Sequence, residues 1–276
     1  MAKRGWIALD IDGTITLDKY SVPKEVTSYL RGLSDEGWSL ALATGRPFAF
    51  ASMALTEFDF PYIFLAQNGS VALEMPEKRL LFKAYIPPTS ILMMERAYEG
   101  IDSDFLVYRG YDRGDACFWR PEKFSHEEHE YLADLQTRQK ERWQEVREFP
   151  HEPFPLIKCF GSEDRLHRIA RFLRSTQLFE VAHIRDPFVA GMYLLLVTDI
   201  HTSKGKSLSR VFQMKGRGAQ VIAAGDDEND LSLLEVADTK IAMKHAPASV
   251  KKMADLIAPP TEECGIIAAL KQAIHK

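Results

Sequence analysis

Six stretches of the chain are short and apolar: Trp6-Ile7-Ala8-Leu9, Trp38 to Ala43, Tyr62-Ile63-Phe64-Leu65-Ala66, Gln220 to Ala224, Lys240-Ile241-Ala242-Met243 and Leu256-Ile257-Ala258. The first lacks any apolar–polar alternation, which is how a parallel strand covered on both faces reads. After it, Val22, Val26, Tyr29, Leu30 and Leu33 recur at helical spacing. Pro23 stands near the start of that segment and Gly37 just past its end, the usual asymmetry of helix termini. A second helical segment, Phe48 to Phe58, separates the second and third runs. Strand, helix, strand, helix, strand predicts right-handed βαβ units and a parallel sheet.

The rhythm changes between Lys83 and Val197. Phe105 to Tyr108 and Ala116 to Trp119 flank a Gly/Asp-rich turn and read as a hairpin. His126 to Trp143 is densely charged and reads as a helix with a solvated face. Leu156 to Phe160 reads as a strand, Leu166 to Leu173 as a helix, and Phe179 to Val181 and Met192 to Val197 as two more strands. From Lys204 the βα pattern returns, with a Pro247-headed helix near the end. The fold class expected is α/β, a Rossmann-like doubly wound parallel sheet with an inserted α+β domain. The core would comprise residues 1–83 and 198–276 and the insertion residues 84–197, with Pro87-Pro88 and Asp199 to Thr202 as hinges.

The 276 residues suffice for one large domain or two modest ones, and the net charge of −4 supplies no global attraction to nucleic acid or anionic membrane. Cys117, Cys159 and Cys264 lie far apart, with neither a zinc-finger spacing nor a disulfide framework. Lys3 and Arg4 precede an apolar stretch, but Asp10 and Asp12 interrupt it too early for a secretory or spanning segment. These features point to the cytoplasm, with neither nucleic acid nor membrane as partner; they set no oligomeric state.

The apolar strands end in chemically loaded loops. Asp10-Ile11-Asp12-Gly13-Thr14 closes the first, Thr44-Gly45-Arg46 the second, and Gly225-Asp226-Asp227-Glu228-Asn229-Asp230 the fourth. Parallel strands deliver their carboxyl ends to one edge of a sheet, where open α/β folds bind ligands, so these loops should converge. Two carboxylates as close as Asp10 and Asp12 disfavour each other's ionisation. They call for a divalent metal, a shared proton, or chemistry that needs one acid and one base. Lys204 opens a helix before the third loop and adds a cation. Two Asp pairs with a Thr and a Lys suit phosphoryl transfer, which depends on positioning and charge neutralisation.

Asp10-Ile11-Asp12-Gly13-Thr14, Ala43-Thr44-Gly45-Arg46, Ser203-Lys204-Gly205 and Gly225 to Asp230, in that order, resemble the four motifs of the haloacid dehalogenase-like phosphatases. The long insertion resembles the type IIB cap of Cof-type sugar-phosphate phosphatases, and Asn68-Gly69 and Glu263-Cys264-Gly265 also fit that group. Four ordered motifs are more specific than any one alone. The resemblance implies that Asp10 attacks phosphorus and forms an aspartyl-phosphate. Asp12 would protonate the leaving alcohol and later deprotonate water. Mg²⁺ would be held by Asp10, the Asp12 backbone carbonyl and Asp226. Thr44 and Lys204 would bind phosphoryl oxygens, Asn229 would contact Lys204 or the phosphate, Asp230 would support the metal shell, and Gly45 and Arg46 would be supporting residues, Arg46 as a salt bridge or loop anchor. The substrate implied is a small phosphate ester, most plausibly a sugar phosphate. A phosphomutase of the same fold and a non-catalytic binding protein are the alternatives. The insertion would choose the leaving group, with Arg109, Tyr111, Arg113 and Arg185 as candidate contacts. Lys244-His245 departs from the Gly-Asn usual after Ala-Met in related sequences.

Overall fold

The computed structural model describes residues 4–16, 18, 20–138, 142–186 and 189–275. In chain order the first half of the core carries β1 (Gly5–Asp10), α1 (Lys24–Asp35), β2 (Trp38–Ala43), α2 (Phe48–Ala54), β3 (Tyr62–Ala66), β4 (Val71–Met75) and β5 (Arg79–Lys83). The middle region carries α3 (Ile91–Ala97), β6 (Leu106–Tyr108), β7 (Ala116–Trp119), α4 (His126–Arg138), β8 (Arg142–Glu145), β9 (Leu156–Gly161), α5 (Glu163–Ser175), β10 (Phe179–Arg185) and β11 (Tyr193–Asp199). The chain ends with α6 (Lys204–Lys215), β12 (Gln220–Gly225), α7 (Leu231–Glu235), β13 (Thr239–Met243), α8 (Ala248–Met253), β14 (Leu256–Ala258) and α9 (Gly265–Ile274). Two compact units result: Met1–Gly45 with Ala51–Phe82 and Ser203–Lys276, and Arg46–Phe50 with Lys83–Thr202. Lys3 and residues 139–141 of the expected His126–Trp143 helix lie outside the described residues.

The first unit is built on an eight-stranded sheet of order β14-β13-β12-β1-β2-β3-β4-β5. From β14 to β3 every neighbouring pair is parallel, and β4 joins β3 antiparallel. Every residue of β1 is buried. Trp6 and Ala8 pack in one cluster with Leu208 and Val211 of α6 and Leu233 and Leu234 of α7. The alternate residues Ile7 and Leu9 point to the opposite face and are equally inaccessible. On the helical layers, α1 lies against β2, and α9 against β12, β13 and β14. Burial on both faces is why the strands read as unbroken apolar runs. The sequence reading places no element between Gly69 and Lys83, where β4 and β5 extend the sheet.

Close layer packing has one strict steric requirement. Helix α6 approaches α7 backbone to backbone at Gly205, where a Cβ would meet the Ser232 carbonyl oxygen at 1.8 Å. Only glycine allows that approach without displacement of a helix.

The second unit has a six-stranded sheet of order β10-β11-β9-β6-β7-β8. Its pairs are antiparallel except β7 with β8. Phe105 and Val107 face a cluster with Met94 of α3 and Leu166, Ile169 and Leu173 of α5. Leu106 and Tyr108 face another with Tyr131, Leu132 and Leu135 of α4. Both faces of this sheet are therefore covered by helices. The charged His126–Trp143 segment is divided: α4 ends at Arg138, and Trp143 lies in β8 beside Trp119, ring centroids 6.0 Å apart. The burial of that indole against a neighbouring strand overrides the helical pattern of the charges. Among the described residues no helix is long and apolar enough to cross a membrane.

A paired glycine substitution tests this packing. Gly32 lies inside α1, and a Cβ there would meet nothing within 4 Å. Gly32→Ala should stabilise the protein by about 0.5–1 kcal/mol, because glycine in a helix costs that much. Gly205→Ala should destabilise it by about 1–3 kcal/mol through overpacking. Chemical denaturation of the two variants beside the wild type reads both signs.

Candidate active site

The carboxyl ends of β1, β2 and β12 lie at one edge because the three strands run parallel. Asp10 is the last residue of β1 and is almost wholly buried. Beyond it the chain turns, with the N–H groups of Ile15 and Thr16 donating to the Ile11 carbonyl. This turn brings Asp12 to Thr44, whose Oγ1 donates to Asp12 Oδ2 at 3.1 Å. Thr44 directly follows β2 and is itself fixed by its backbone. Its N–H donates to the Leu65 carbonyl, and its own carbonyl accepts from Asn68 N–H.

Lys204 reaches the same edge from the first turn of α6. Ser203 caps that helix, its hydroxyl accepting from Lys206 N–H at 3.1 Å. Lys204 is 1% exposed, and its Nζ donates to Asp10 Oδ1 at 2.5 Å and to Asp230 Oδ1 at 2.6 Å. The second oxygen of Asp230 accepts from the N–H groups of Asp226 and Asp227 at 3.0 and 3.2 Å. Asp230 thus ties the end of β12 to α6. Gly225 makes this possible, since a Cβ there would lie 2.4 Å from that of Asp230. Asp227 completes the loop by capping the turn Glu228–Asp230.

The electrostatic balance of the site is negative. Burial, and then the neighbouring Asp230, hold Asp10 well above the usual carboxylate range, against the pull of Lys204. Burial, then Asp230 and Asp227, raise Asp226 in the same way. Burial disfavours the charge on Lys204, but Asp10 and Asp230 more than offset it and keep the ammonium protonated. Asp10 Oδ2 is buried without a hydrogen-bond partner. Ligand oxygens of Asp10, Asp226 and Asp230 all lie within 4.8 Å of one another. Asp230 already commits both oxygens to Lys204 and backbone N–H groups, which leaves Asp10 and Asp226 as donors. An all-oxygen set with surplus negative charge and an orphaned carboxylate oxygen fits a hard divalent cation.

The first unit thus holds Asp10, Asp12, Thr44, Gly45, Lys204, Asp226, Asn229 and Asp230. Arg46 falls in the second unit, its guanidinium 4.2 Å above the Phe50 ring. Of the two contacts expected of Asn229, with Lys204 or with the phosphate, the one with Lys204 is made here by Asp230. Two groups absent from the expected site also stand out. Gln67 and Asn68, both with positive φ, bury Gln67 Oε1 and Nε2 and Asn68 Oδ1 without partners. His245 Nε2 lies 3.1 Å from Asp226 Oδ2. The Asn68-Gly69 pair after β3 was the available signal for the former. In the second unit, Arg109 and Arg113 both pair with Glu152, at 2.8 and 3.1 Å. Tyr111 packs on Phe48, and Arg185 is exposed.

A family model described as haloacid dehalogenase-like hydrolase matches residues 7–270. The chain is 23% identical to the 5-amino-6-(5-phospho-D-ribitylamino)uracil phosphatase YitU of Bacillus subtilis, over 96% of both chains. It is 27% identical to the phosphoglycolate phosphatase of Natronomonas pharaonis, over 97% of this chain and 96% of that one. Among solved structures, the subclass IIB sugar phosphatase BT4131 superposes with a TM-score of 0.77 at 19% identity, covering 98% of this chain and 99% of that one.

The raised carboxyl groups give a pH signature. Folding holds protons on Asp10 and Asp226 that the unfolded chain releases above about pH 4. Stability from this source is complete below that pH and is lost as pH rises through the raised folded values. Asp226→Asn removes one of the competing charges. In EDTA at pH 8 it should melt above the wild type by about 2–4 °C or more, and the gap should close toward pH 4. Calorimetry across that range checks it; a gap independent of pH contradicts the account.

Proposed function

The chain belongs to the haloacid dehalogenase-like hydrolases as a phosphoric monoester hydrolase, and on that premise we propose that it cleaves a small sugar phosphate through an aspartyl-phosphate on Asp10, with Mg²⁺ as cofactor. The observation that carries this reading is the unequal pairing of Asp10. One oxygen is bound to Lys204, and the other is buried with no partner.

In this mechanism an Asp10 oxygen attacks phosphorus as the bond from phosphorus to the leaving oxygen breaks. Asp12, protonated, gives its proton to that oxygen and releases the alcohol. Water then attacks the acyl phosphate, Asp12 takes the water's proton, and cleavage of the phosphorus–Asp10 bond frees inorganic phosphate. This use of one carboxyl group as acid and then base contributes about 10²–10⁴-fold. The Thr44 hydroxyl, which donates to Asp12 in the free protein, would give its one proton to a phosphoryl oxygen when the ester is bound. Lys204 serves the phosphoryl oxygens as a fixed cation that needs no reorganisation during reaction. Asp10, the Asp12 backbone carbonyl and Asp226 would hold the Mg²⁺, with Asp230 orienting the Asp226 backbone. When bound, the ion neutralises phosphoryl charge and lets an anionic nucleophile approach an anionic substrate.

The second unit is the type IIB cap of this reading and selects the leaving group. The named relatives support a small phosphorylated metabolite as substrate: one is named for a phosphoribityl compound, one for phosphoglycolate and one for sugar phosphates, and two of the three favour the sugar class.

Phosphate release from p-nitrophenyl phosphate and a panel of sugar phosphates, with Mg²⁺ or EDTA, tests the mechanism. Wild type should need the cation, Asp10→Asn should lose about 10³-fold or more, and Asp12→Asn about 10²–10⁴-fold. Conversion of a sugar phosphate to its isomer without phosphate release would replace hydrolysis by mutase chemistry.

A further inference from the structure

His245 lies outside the acidic cluster in sequence but beside it in space. It sits two residues past the end of β13, the parallel neighbour of β12, and Gly225 registers with Ala242. That pairing puts Asp226 and His245 on the same edge of the sheet. A turn closed by Ala246 N–H donating to the Met243 carbonyl at 3.0 Å fixes the position of the imidazole. Its Nε2 is 3.1 Å from Asp226 Oδ2. The β1 loop lies against both groups, since a Cβ on Gly13 would be 2.4 Å from Asp226 Oδ2 and 3.1 Å from His245 Nε2. The imidazole is half exposed and the Asp226 carboxylate mostly buried, so His245 stands on the solvent side of Asp226.

We propose that His245 is a nitrogen ligand of the divalent cation held by Asp10 and Asp226, and that it shifts the metal preference of the site from Mg²⁺ toward Mn²⁺ and other first-row transition ions. The inference rests on the metal-dependent reading of the site. Two neighbouring ligands on one six-coordinate ion, each at about 2.1–2.2 Å, are themselves about 3 Å apart. The observed separation suits a hydrogen bond in the free protein; the ligand atoms already within 4.8 Å of one another are those of Asp10, Asp226 and Asp230, so joint ligation requires the half-exposed imidazole to turn toward the ion. Ligation requires the Nε2 lone pair, so binding of the ion replaces the Nε2–Asp226 hydrogen bond and leaves the ring proton on Nδ1. Imidazole binds Mn²⁺ and Co²⁺ far better than Mg²⁺, which keeps oxygen ligands and water. With an oxygen-only set Mg²⁺ has no such competitor. An imidazole in the place of one water gives the transition ion an advantage that Asp226 alone does not.

Mn²⁺ titration followed by electron paramagnetic resonance tests this, with wild type, His245→Asn and Asp226→Asn, and with calorimetric Mg²⁺ titration alongside. Electron spin-echo modulation of bound Mn²⁺ should show a nitrogen coupling that changes on ¹⁵N-histidine labelling and vanishes in His245→Asn. That variant should bind Mn²⁺ about 10-fold more weakly while Mg²⁺ affinity changes about 2-fold or less. Mn²⁺ that binds in an Asp226-dependent manner without nitrogen coupling overturns the role of His245 and leaves the acidic metal site standing. Mn²⁺ binding indifferent to Asp226→Asn overturns the metal site itself, and the ligand with it.

Discussion

A single buried ammonium shared by two carboxylates fixes the arrangement of this site. Lys204 joins Asp10 at the end of β1 to Asp230 beyond β12, positions 194 and 26 residues away along the chain. Burying such ions costs several kcal/mol each, and the pairing is favourable only where hydrogen bonds satisfy the remaining valences. Asp230 meets that condition, with Lys204 on one oxygen and two backbone N–H groups on the other. Asp10 does not. The unmet demand of the network is thereby concentrated on one oxygen atom, at the strand end that the proposed mechanism gives to the nucleophile. The rigidity around it comes from the complete half of the network, and in the proposed mechanism the reactivity comes from the incomplete half.

The parallel strands were legible in the sequence because burial on both faces leaves unbroken apolar runs, and the site was legible because those runs stop abruptly at carboxylates. Less legible was which acid does what. Five consecutive polar residues, Asp226 to Asp230, offer no pattern, and the tight turn at Glu228–Asp230 makes Asp230 the partner of Lys204 in place of Asn229. Arg46, which follows Thr44 and Gly45 in the second loop, has its guanidinium over the Phe50 ring, a contact with no sequence signal. Trp143 was masked by the charges around it: the strand it occupies exists only through pairing with β7, more than twenty residues earlier. His245 is a case of a related kind: the Lys244-His245 departure marked the position, but its approach to Asp226 depends on the adjacency of β12 and β13.

Relatives at about 20% identity that keep the same fold show how freely most of this chain can vary. What has to stay is small: glycines where backbones touch, the apolar runs, and the strand-end acids with their lysine. Gly205 and Gly225 belong to this minimum for reasons of space alone, one at a helix contact and one beneath a carboxylate.

The second unit closes both faces of its own sheet with its own helices, in two separate apolar clusters. Among the described residues, both clusters are built from side chains of that unit. Mutations that reshape its loops are therefore absorbed locally, without disturbing the buried lysine and its carboxylates. If the second unit selects the leaving group as proposed, selection for a new substrate and selection for hydrolytic power act on different residues, and a lineage of such enzymes can change diet while its chemistry stands still.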